Sequence, residues 1–495
     1  MTEEESDDGR CVRHVVGSAK GVKPMKVRAL TCAMLLAGGS LLPIAASART
    51  CTGDAVETQH SARIGGKALR YIACAGTLPV RNLRGEVRGK IFYTAYLVPG
   101  ARARPLTFVW NGGPGADSRT LQFHAVGPRI LEQGKLVDNA ASPLGVSDLV
   151  FVDPVGTGFS KADDPAHAAD FYGTNADIAS VAGFVTDFRT AYRRTGSALY
   201  LAGESFGTWR AAGVAERLID AKVPVAGIAL ISGGIPLGDL PDRNRLRALS
   251  LVNRTATAHA LGKLAPELQA DQPRALAEAR RWAEQVYAPA LAAPDALSAD
   301  DRARVIAGLA RFQGLDPATI DAKTLWVSPR AFRTGLIAGD TLGLFDMRKT
   351  GAPEDESADG RTVLDYYRTA LNYRAGSYAG IDAPESDAGS QWQYDQAPIT
   401  PDSLARARAG EGPPSPSQPW TLRAMEKAPR LRAWVATGLY DSLNSCAGNE
   451  AVAAGLPKSV SARFTLRCYA GGHMMYEDPR ETLRFGKDLA AFLRP

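Results

Sequence analysis

The chain has 495 residues and a formal net charge of +6, with 45% hydrophobic and 22% charged residues, 49 Gly and 31 Pro. These proportions suit a globular enzyme and exclude collagen-like, coiled-coil and wholly disordered chains. The charge is spread without a Lys/Arg block, and neither a zinc-finger spacing nor interleaved basic and aromatic residues occur, so nucleic acid is not an expected partner.

Residues 1–24 are acidic, then mixed, and read as a leader that is not native to the fold. From Met25 the pattern changes: Lys26 and Arg28, an apolar run through Leu42, then Ala46-Ser47-Ala48. These are the basic n-region, h-region and A-x-A site of a secretory signal peptide, with Met25 as the natural start. Gly38, Gly39 and Ser40 break the run, leaving it too short for a span of ~20 apolar residues. The expectation is an exported protein, periplasmic or secreted, with no stable membrane anchor. Cys11 and Cys32 leave with this segment, and Cys51, Cys74, Cys446 and Cys468 allow three pairings. Their positions favour Cys51 with Cys74 and Cys446 with Cys468. No Cys/His spacing suits zinc, so neither a metal nor another cofactor is expected.

Strands are predicted at 68–74 (ALRYIAC) and 91–97 (IFYTAYL), from their aromatic and aliphatic content. Short, nearly continuous apolar runs follow at 106–110, 149–152, 198–202 and 225–231. Such runs, each followed by loop and helix text, are what a buried parallel sheet looks like. Helices are predicted at 174–191 and 208–221, and strand text returns at 431–437 and 463–469. The alternation predicts an α/β layer architecture. Residues 240–420 differ, being rich in Ala, Arg, Leu and Glu, as in 273–292, and read as helix after helix. Within them, 409–419 (AGEGPPSPSQP) reads as a surface loop or linker. The expected organisation is a leader and signal peptide over 1–48, an α/β core over 49–240, a mostly helical insertion over 241–420, and the rest of the core over 421–495. The insertion is either a cap over a site or an ornament.

The strongest local chemical signal is Gly203-Glu204-Ser205-Phe206-Gly207, with strand text before it and helix text after. G-x-S-x-G in that context is a nucleophile elbow, a sharp strand-to-helix turn that exposes the Ser hydroxyl above the sheet. A serine nucleophile needs a base, and the chain has six histidines. His14 falls in the leader, His60 near the start of the mature chain, His167 in a polar loop and His259 in the helical insertion. His124 follows a glycine-rich segment and is a second candidate. His473 stands directly after the last predicted strand, where the order nucleophile, acid, histidine puts the base. Asp441 follows the preceding strand and is the matching acid, although a simple turn aspartate has the same local text. For an oxyanion, donors come from the Phe206 N–H and from the loop 110–115 (WNGGPG), whose glycines let bare backbone approach a substrate. No Gly-Lys-Ser/Thr follows that loop, which disfavours phosphate.

Taken together, WNGGPG at 110–115, FVDPVGTGFS at 151–160, GESFG at 203–207, GLYD at 438–441 and GGHMMYEDP at 471–479 resemble the serine carboxypeptidase family, in a divergent bacterial-type form. The resemblance covers roughly residues 85–240 and 430–495. It implies an α/β-hydrolase fold, with a mostly parallel central sheet flanked by helices. It implies Ser205 as nucleophile, Asp441 and His473 as its partners, and the Gly113 and Phe206 N–H groups as oxyanion donors. It also implies that Asn111 and Glu204 bind the free C-terminal carboxylate of a peptide, with Glu204 held protonated by burial and a nearby like charge. The sequence departs from the family pattern in three places. Ala125, preceded by His124, stands where a second acid is common; Phe206 replaces Tyr; and Ala116 replaces a Cys after the glycine loop. If Asp441 and His473 meet, Cys446 and Cys468 lie in neighbouring loops, and a bridge there would fix both.

The reading is an exported serine carboxypeptidase that acts on peptides with a free C-terminus through an acyl-enzyme. The alternative is a secreted esterase or acyltransferase using the same triad. A non-catalytic binding protein on the same scaffold would need a broken triad, and all three members are present.

Overall fold

In the computed structural model, residues 50–100, 104–240, 242–351 and 357–495 are described, and the leader and signal-peptide readings lie outside them. The strands in chain order are β1 (Val56–Ile64), β2 (Lys67–Arg81), β3 (Val87–Leu97), β4 (Leu106–Trp110), β5 (Arg129–Glu132), β6 (Lys135–Asp138), β7 (Asp148–Asp153), β8 (Lys161–Ala162), β9 (Leu199–Glu204), β10 (Gly227–Ile231), β11 (Arg432–Gly438) and β12 (Phe464–Tyr469). The main sheet runs β1-β2-β3-β7-β4-β9-β10-β11-β12, with β8 beside β3, while β5 and β6 form a separate hairpin. From β1 to β7 the pairing is antiparallel. From β7 to β12 it is parallel throughout. The crossing of β7 between β3 and β4, and the parallel half that follows, make this an α/β-hydrolase fold.

Every residue of β4, β7, β9 and β10 is buried, because the parallel half is covered on both faces. Successive side chains leave the strand on opposite sides. Phe108, Val150, Leu201 and Leu230 therefore pack on one face, with Val181, Phe184 and Phe188 of helix α1 (Thr174–Ala191) and Ala211, Val214 and Leu218 of helix α2 (Gly207–Asp220). Val109, Phe151, Ala202 and Ala229 pack on the other, with Phe485, Leu489 and Phe492 of the C-terminal helix Thr482–Phe492.

Between β10 and β11 the described elements are all helical, from Arg243–Leu249 to Trp420–Lys427. Leu251, Ala279, Leu309 and Phe332 belong to a third apolar cluster formed there. The 409–419 stretch is a loop, as expected, with Gly412 and Pro413 exposed, but it is anchored rather than a free linker. Ser415 and Ser417 are buried, and the Ser415 hydroxyl donates to the Ala397 carbonyl at 2.8 Å while accepting from Gln396 Nε2 at 2.9 Å. Its Pro and Ser content provides turns whose polar groups are paired internally, which composition does not distinguish from a solvated linker. Disulfides join Cys51 to Cys74 and Cys446 to Cys468. Among the described residues, no helix is long and apolar enough to cross a membrane.

Candidate active site

Ser205 stands between the end of β9 and the start of α2, with its backbone at φ 57°. That left-handed conformation in a non-glycine residue marks a turn held by its surroundings. The holding contacts are specific. The Ser205 N–H donates to the Ile231 carbonyl at the end of β10 (2.9 Å), and Trp110 Nε1 donates to the Gly207 carbonyl at 3.0 Å. A Cβ at Gly203 would lie 1.9 Å from the Gly207 carbonyl oxygen, so only glycine closes the elbow there.

Asp441 and His473 come from the loops after β11 and β12, which pair in parallel. His473 Nδ1 lies 2.9 Å from Asp441 Oδ2. The carboxylate also accepts from the Leu443 N–H at 2.8 Å and from Asn444 Nδ2 at 2.9 Å. With Nδ1–H directed at the carboxylate, Nε2 is left as the free lone pair, and it has no hydrogen-bond partner among the described residues, Ser205 included. Burial pushes the imidazole pKa down, but the charge and hydrogen bond of Asp441, helped by Glu204, outweigh it, so the net shift is upward. The end of β10 links the base to the elbow. Ile231 accepts from Ser205, and its neighbour Ser232 donates its hydroxyl to the His473 carbonyl and accepts from Asn444 Nδ2 at 3.0 Å. The His473 N–H donates to the Phe345 carbonyl at 2.6 Å, and the two rings lie 5.3 Å apart. The Cys446–Cys468 bridge ties the helix after Asp441 to the strand before His473.

The glycine loop packs directly on the elbow. A Cβ at Gly112 would sit 2.5 Å from the Phe206 nitrogen and 2.6 Å from the Glu204 carbonyl oxygen. Neither Gly113 nor Phe206 spends its N–H on a loop or turn backbone bond among the described residues. The loop is anchored by the FVDPVGTGFS segment: Asp153 Oδ1 accepts from the Ser118 N–H at 2.9 Å and from its hydroxyl at 2.7 Å. Burial, then the nearby Asp117 carboxylate, raises the Asp153 pKa.

Glu204 is 3% exposed. Asn111 Nδ2 donates to its Oε2 and the Tyr476 hydroxyl donates to its Oε1 at 2.7 Å. Burial pushes its pKa up to about 7; His473 and the Tyr476 bond oppose the shift, and the Glu477 and Asp441 carboxylates add to it. Asn111 is fixed in turn, its Oδ1 accepting from the Leu121 N–H at 3.0 Å and its carbonyl from Arg210 Nη1 at 2.7 Å.

Of the other histidines, His124 pairs with Glu477 at 3.2 Å and His167 with Asp163 at 2.8 Å, while His60 stacks on Tyr71 and His259 bonds the Gln269 carbonyl. Tyr476 and Phe345 did not emerge from the sequence. Tyr476 stands three residues past His473, which was a usable signal; Phe345 lies in helical text without a motif.

Residues 81–230 match the family model described as serine carboxypeptidase. The chain is similar to the pheromone-processing carboxypeptidase kex1 of Schizosaccharomyces japonicus, 35% identical over 160 residues, which is 31% of this chain and 30% of that protein. Its counterpart from Debaryomyces hansenii is 36% identical over 112 residues, 22% of this chain and 16% of that protein. The matches thus span less than a third of these relatives' length. In structure, the chain is similar to the prohormone-processing carboxypeptidase Kex1(delta)p of Saccharomyces cerevisiae, with a TM-score of 0.51 and 15% identity, covering 85% of this chain and 91% of the other. At that identity the likeness supports the fold.

Proposed function

We propose that this chain, whose residues 81–230 match the serine carboxypeptidase family model, is an exported serine carboxypeptidase that releases C-terminal residues from peptides, with the helical segment 241–420 as a cap. The observation that carries the reading is the combination of an Asp441–His473 pair at 2.9 Å with a free Nε2 and a buried Glu204–Asn111 pair beside Ser205. The two bridges and the absence of a membrane-crossing helix among the described residues are compatible with export.

In the proposed reaction Asn111 and the protonated Glu204 hold the peptide's terminal carboxylate, which places the last amide over Ser205. Ser205 Oγ forms a bond to the carbonyl carbon while its proton passes to His473 Nε2. The negative oxygen of the tetrahedral intermediate takes hydrogen bonds from the Gly113 and Phe206 N–H groups, donors worth about 3–4 kcal/mol each at an acyl-transfer transition state. The C–N bond breaks as His473 returns the proton to the leaving amine, and the acyl group stays on Ser205. Water then gives a proton to His473 and its oxygen to the acyl carbon; the ester bond breaks and Ser205 recovers its proton. Asp441 holds the Nδ1–H tautomer throughout.

The test uses the mature chain, an N-blocked dipeptide and a matched p-nitrophenyl ester from pH 4 to 8, beside Ser205→Ala. Peptide cleavage that needs a free carboxylate, fades as pH rises through about 7 and vanishes in Ser205→Ala supports the proposal. Ester cleavage alone, strongest near neutrality, would make the protein an esterase using the same three residues.

A further inference from the structure

A cavity of about 340 Å³ opens beside the Asp441 loop. Its floor is built from the segments that hold the candidate triad. Gly234 and Ile235 follow Ser232 after β10, Asp441 and Asn444 follow β11, and Trp209 lies one helical turn past Ser205 with its ring 5.4 Å from that of Phe206. Asn111 and Glu204 meet on the β4 side of the elbow, whereas this cavity lies over β10 and β11. With Glu204 holding the terminal carboxylate, as proposed above, an acyl-side residue on the opposite side of the elbow would be directed towards this cavity.

The far wall, from the helical segment, is cationic. Arg243, Arg247, Arg254 and Arg406 line it against two carboxylates, Glu411 and Asp441. Asp441 is committed to His473. Glu411 accepts from Arg247 Nε at 3.0 Å and Nη2 at 3.1 Å, and from Trp326 Nε1 at 2.9 Å. Arg243 and Arg406 pair with Asp239 and Asp402, whose side chains are 68% and 77% exposed, so those pairs neutralise little. Among the described residues, no carboxylate is hydrogen-bonded to Arg254. Arg254 is 3% exposed, its Nη1 donates to Gln313 Oε1 at 3.2 Å and to the Val327 carbonyl at 2.6 Å, and its Nη2 has no hydrogen-bond partner among the described residues. The guanidinium lies over Trp326 and Phe332, at 5.2 and 5.7 Å from the ring centroids. Burial pushes its pKa down to about 10, which still leaves it charged at neutral pH. The Glu411 carboxylate acts on this charge without bonding it; a buried cation with no bonded anion is costly, and an anionic ligand reaching it would supply such a partner.

We propose that this cavity is the acyl-side specificity pocket and selects peptides carrying Asp or Glu on the acyl side of the scissile bond, with Arg254 as the residue that recognises the side-chain carboxylate. The inference rests on the carboxypeptidase reading and gives it a substrate class.

The experiment compares N-blocked dipeptides with Glu, Gln, Leu or Lys on the acyl side and one common C-terminal residue, at about pH 6, where an exposed Glu side chain is ionised. For the parent, kcat/KM with Glu should exceed that with Gln about tenfold or more, since Gln forfeits a charge-assisted bond and leaves the cation unpaired, and Lys should be poorest. In Arg254→Met the Glu/Gln ratio should collapse towards one, and Arg254→Lys should restore part of it. A parent ratio at or below one, or a ratio unmoved by Arg254→Met, overturns the pocket while leaving dipeptide cleavage, and so the carboxypeptidase reading, intact. If only esters are cleaved, that reading fails, and the N-acyl-Glu and N-acyl-Gln p-nitrophenyl esters measure the pocket by itself. Should Arg254→Met not fold, a thermal shift of the parent supplies the answer: N-acetylglutamate should raise Tm and N-acetylglutamine should not, and equal shifts refute the proposal.

Discussion

Glu204→Gln removes one ionisation from the centre of the site, and its consequence can be worked out as a number. In the unfolded chain the carboxyl titrates near 4.5, and in the folded protein burial moves it to about 7. The folded state therefore holds the proton more tightly, and its stability falls as pH rises through the interval between those values. Relative to the protonated form, the cost is about 0.8 kcal/mol at pH 5 and about 3.3 kcal/mol at pH 8, a difference of about 2.5 kcal/mol. Gln cannot ionise. Its oxygen can accept from Asn111 Nδ2 while its amide N–H donates to the Tyr476 hydroxyl oxygen, and whatever the exchange costs is the same at every pH. Urea unfolding of parent and variant at pH 5, 6, 7 and 8 should show the variant gaining about 2.5 kcal/mol on the parent across the series. Groups that do not interact with Glu204 cancel in the difference between the two proteins, whereas His473, whose pKa Glu204 helps to raise, contributes a change of its own near neutrality. A difference that does not change with pH would mean that Glu204 is not held in its acid form by the fold, and the proposed way of reading a peptide's terminal carboxylate would fall with it.

Two further outcomes are expected. Asp441→Asn directs an amide N–H at His473 Nδ1 and so moves the imidazole proton to Nε2, facing Ser205; kcat should fall by about 10⁴-fold with folding preserved, and a loss below tenfold, measured with circular dichroism as the folding control, would remove Asp441 from the triad. Cys446→Ser with Cys468→Ser opens a loop with a sequence separation of 22 residues and should cost about 3 kcal/mol in urea unfolding, with activity lost before global unfolding because the loops on either side carry Asp441 and His473.

The parts of the molecule legible in the sequence are those whose cause is local. β9 and β10 are buried on both faces, so they appear as unbroken apolar runs, and the elbow between β9 and α2 needs small residues at fixed spacing. β1 (VETQHSARI) is an edge strand with one buried residue, Ala62, so it has little apolar alternation to detect, and the four-residue strands β5 and β6 are short and only partly buried. The Cys446–Cys468 pairing followed from where the loops of Asp441 and His473 had to meet, and the Cys51–Cys74 pairing from position along the chain. Phe345 against His473, and Arg254 in the cavity wall, depend on contacts between segments far apart in the chain and leave no local periodicity. The His124–Glu477 pair belongs to the same class: the sequence showed that Ala125 departs from the family, but not which carboxylate stands near Glu204.

The hydrogen bond from the His473 N–H to the Phe345 carbonyl has a consequence for how this molecule can be recombined. A segment joined to a scaffold only at its two ends can be exchanged between homologues like a cassette. Here the intervening helical segment also grips the loop of the candidate base, through a main-chain bond and a ring contact. A chimera that imports another cap must import a residue able to occupy the Phe345 position, or lose the orientation of His473 along with the old specificity. On the proposed reading, exchanging the segment would alter substrate range and the orientation of His473 together.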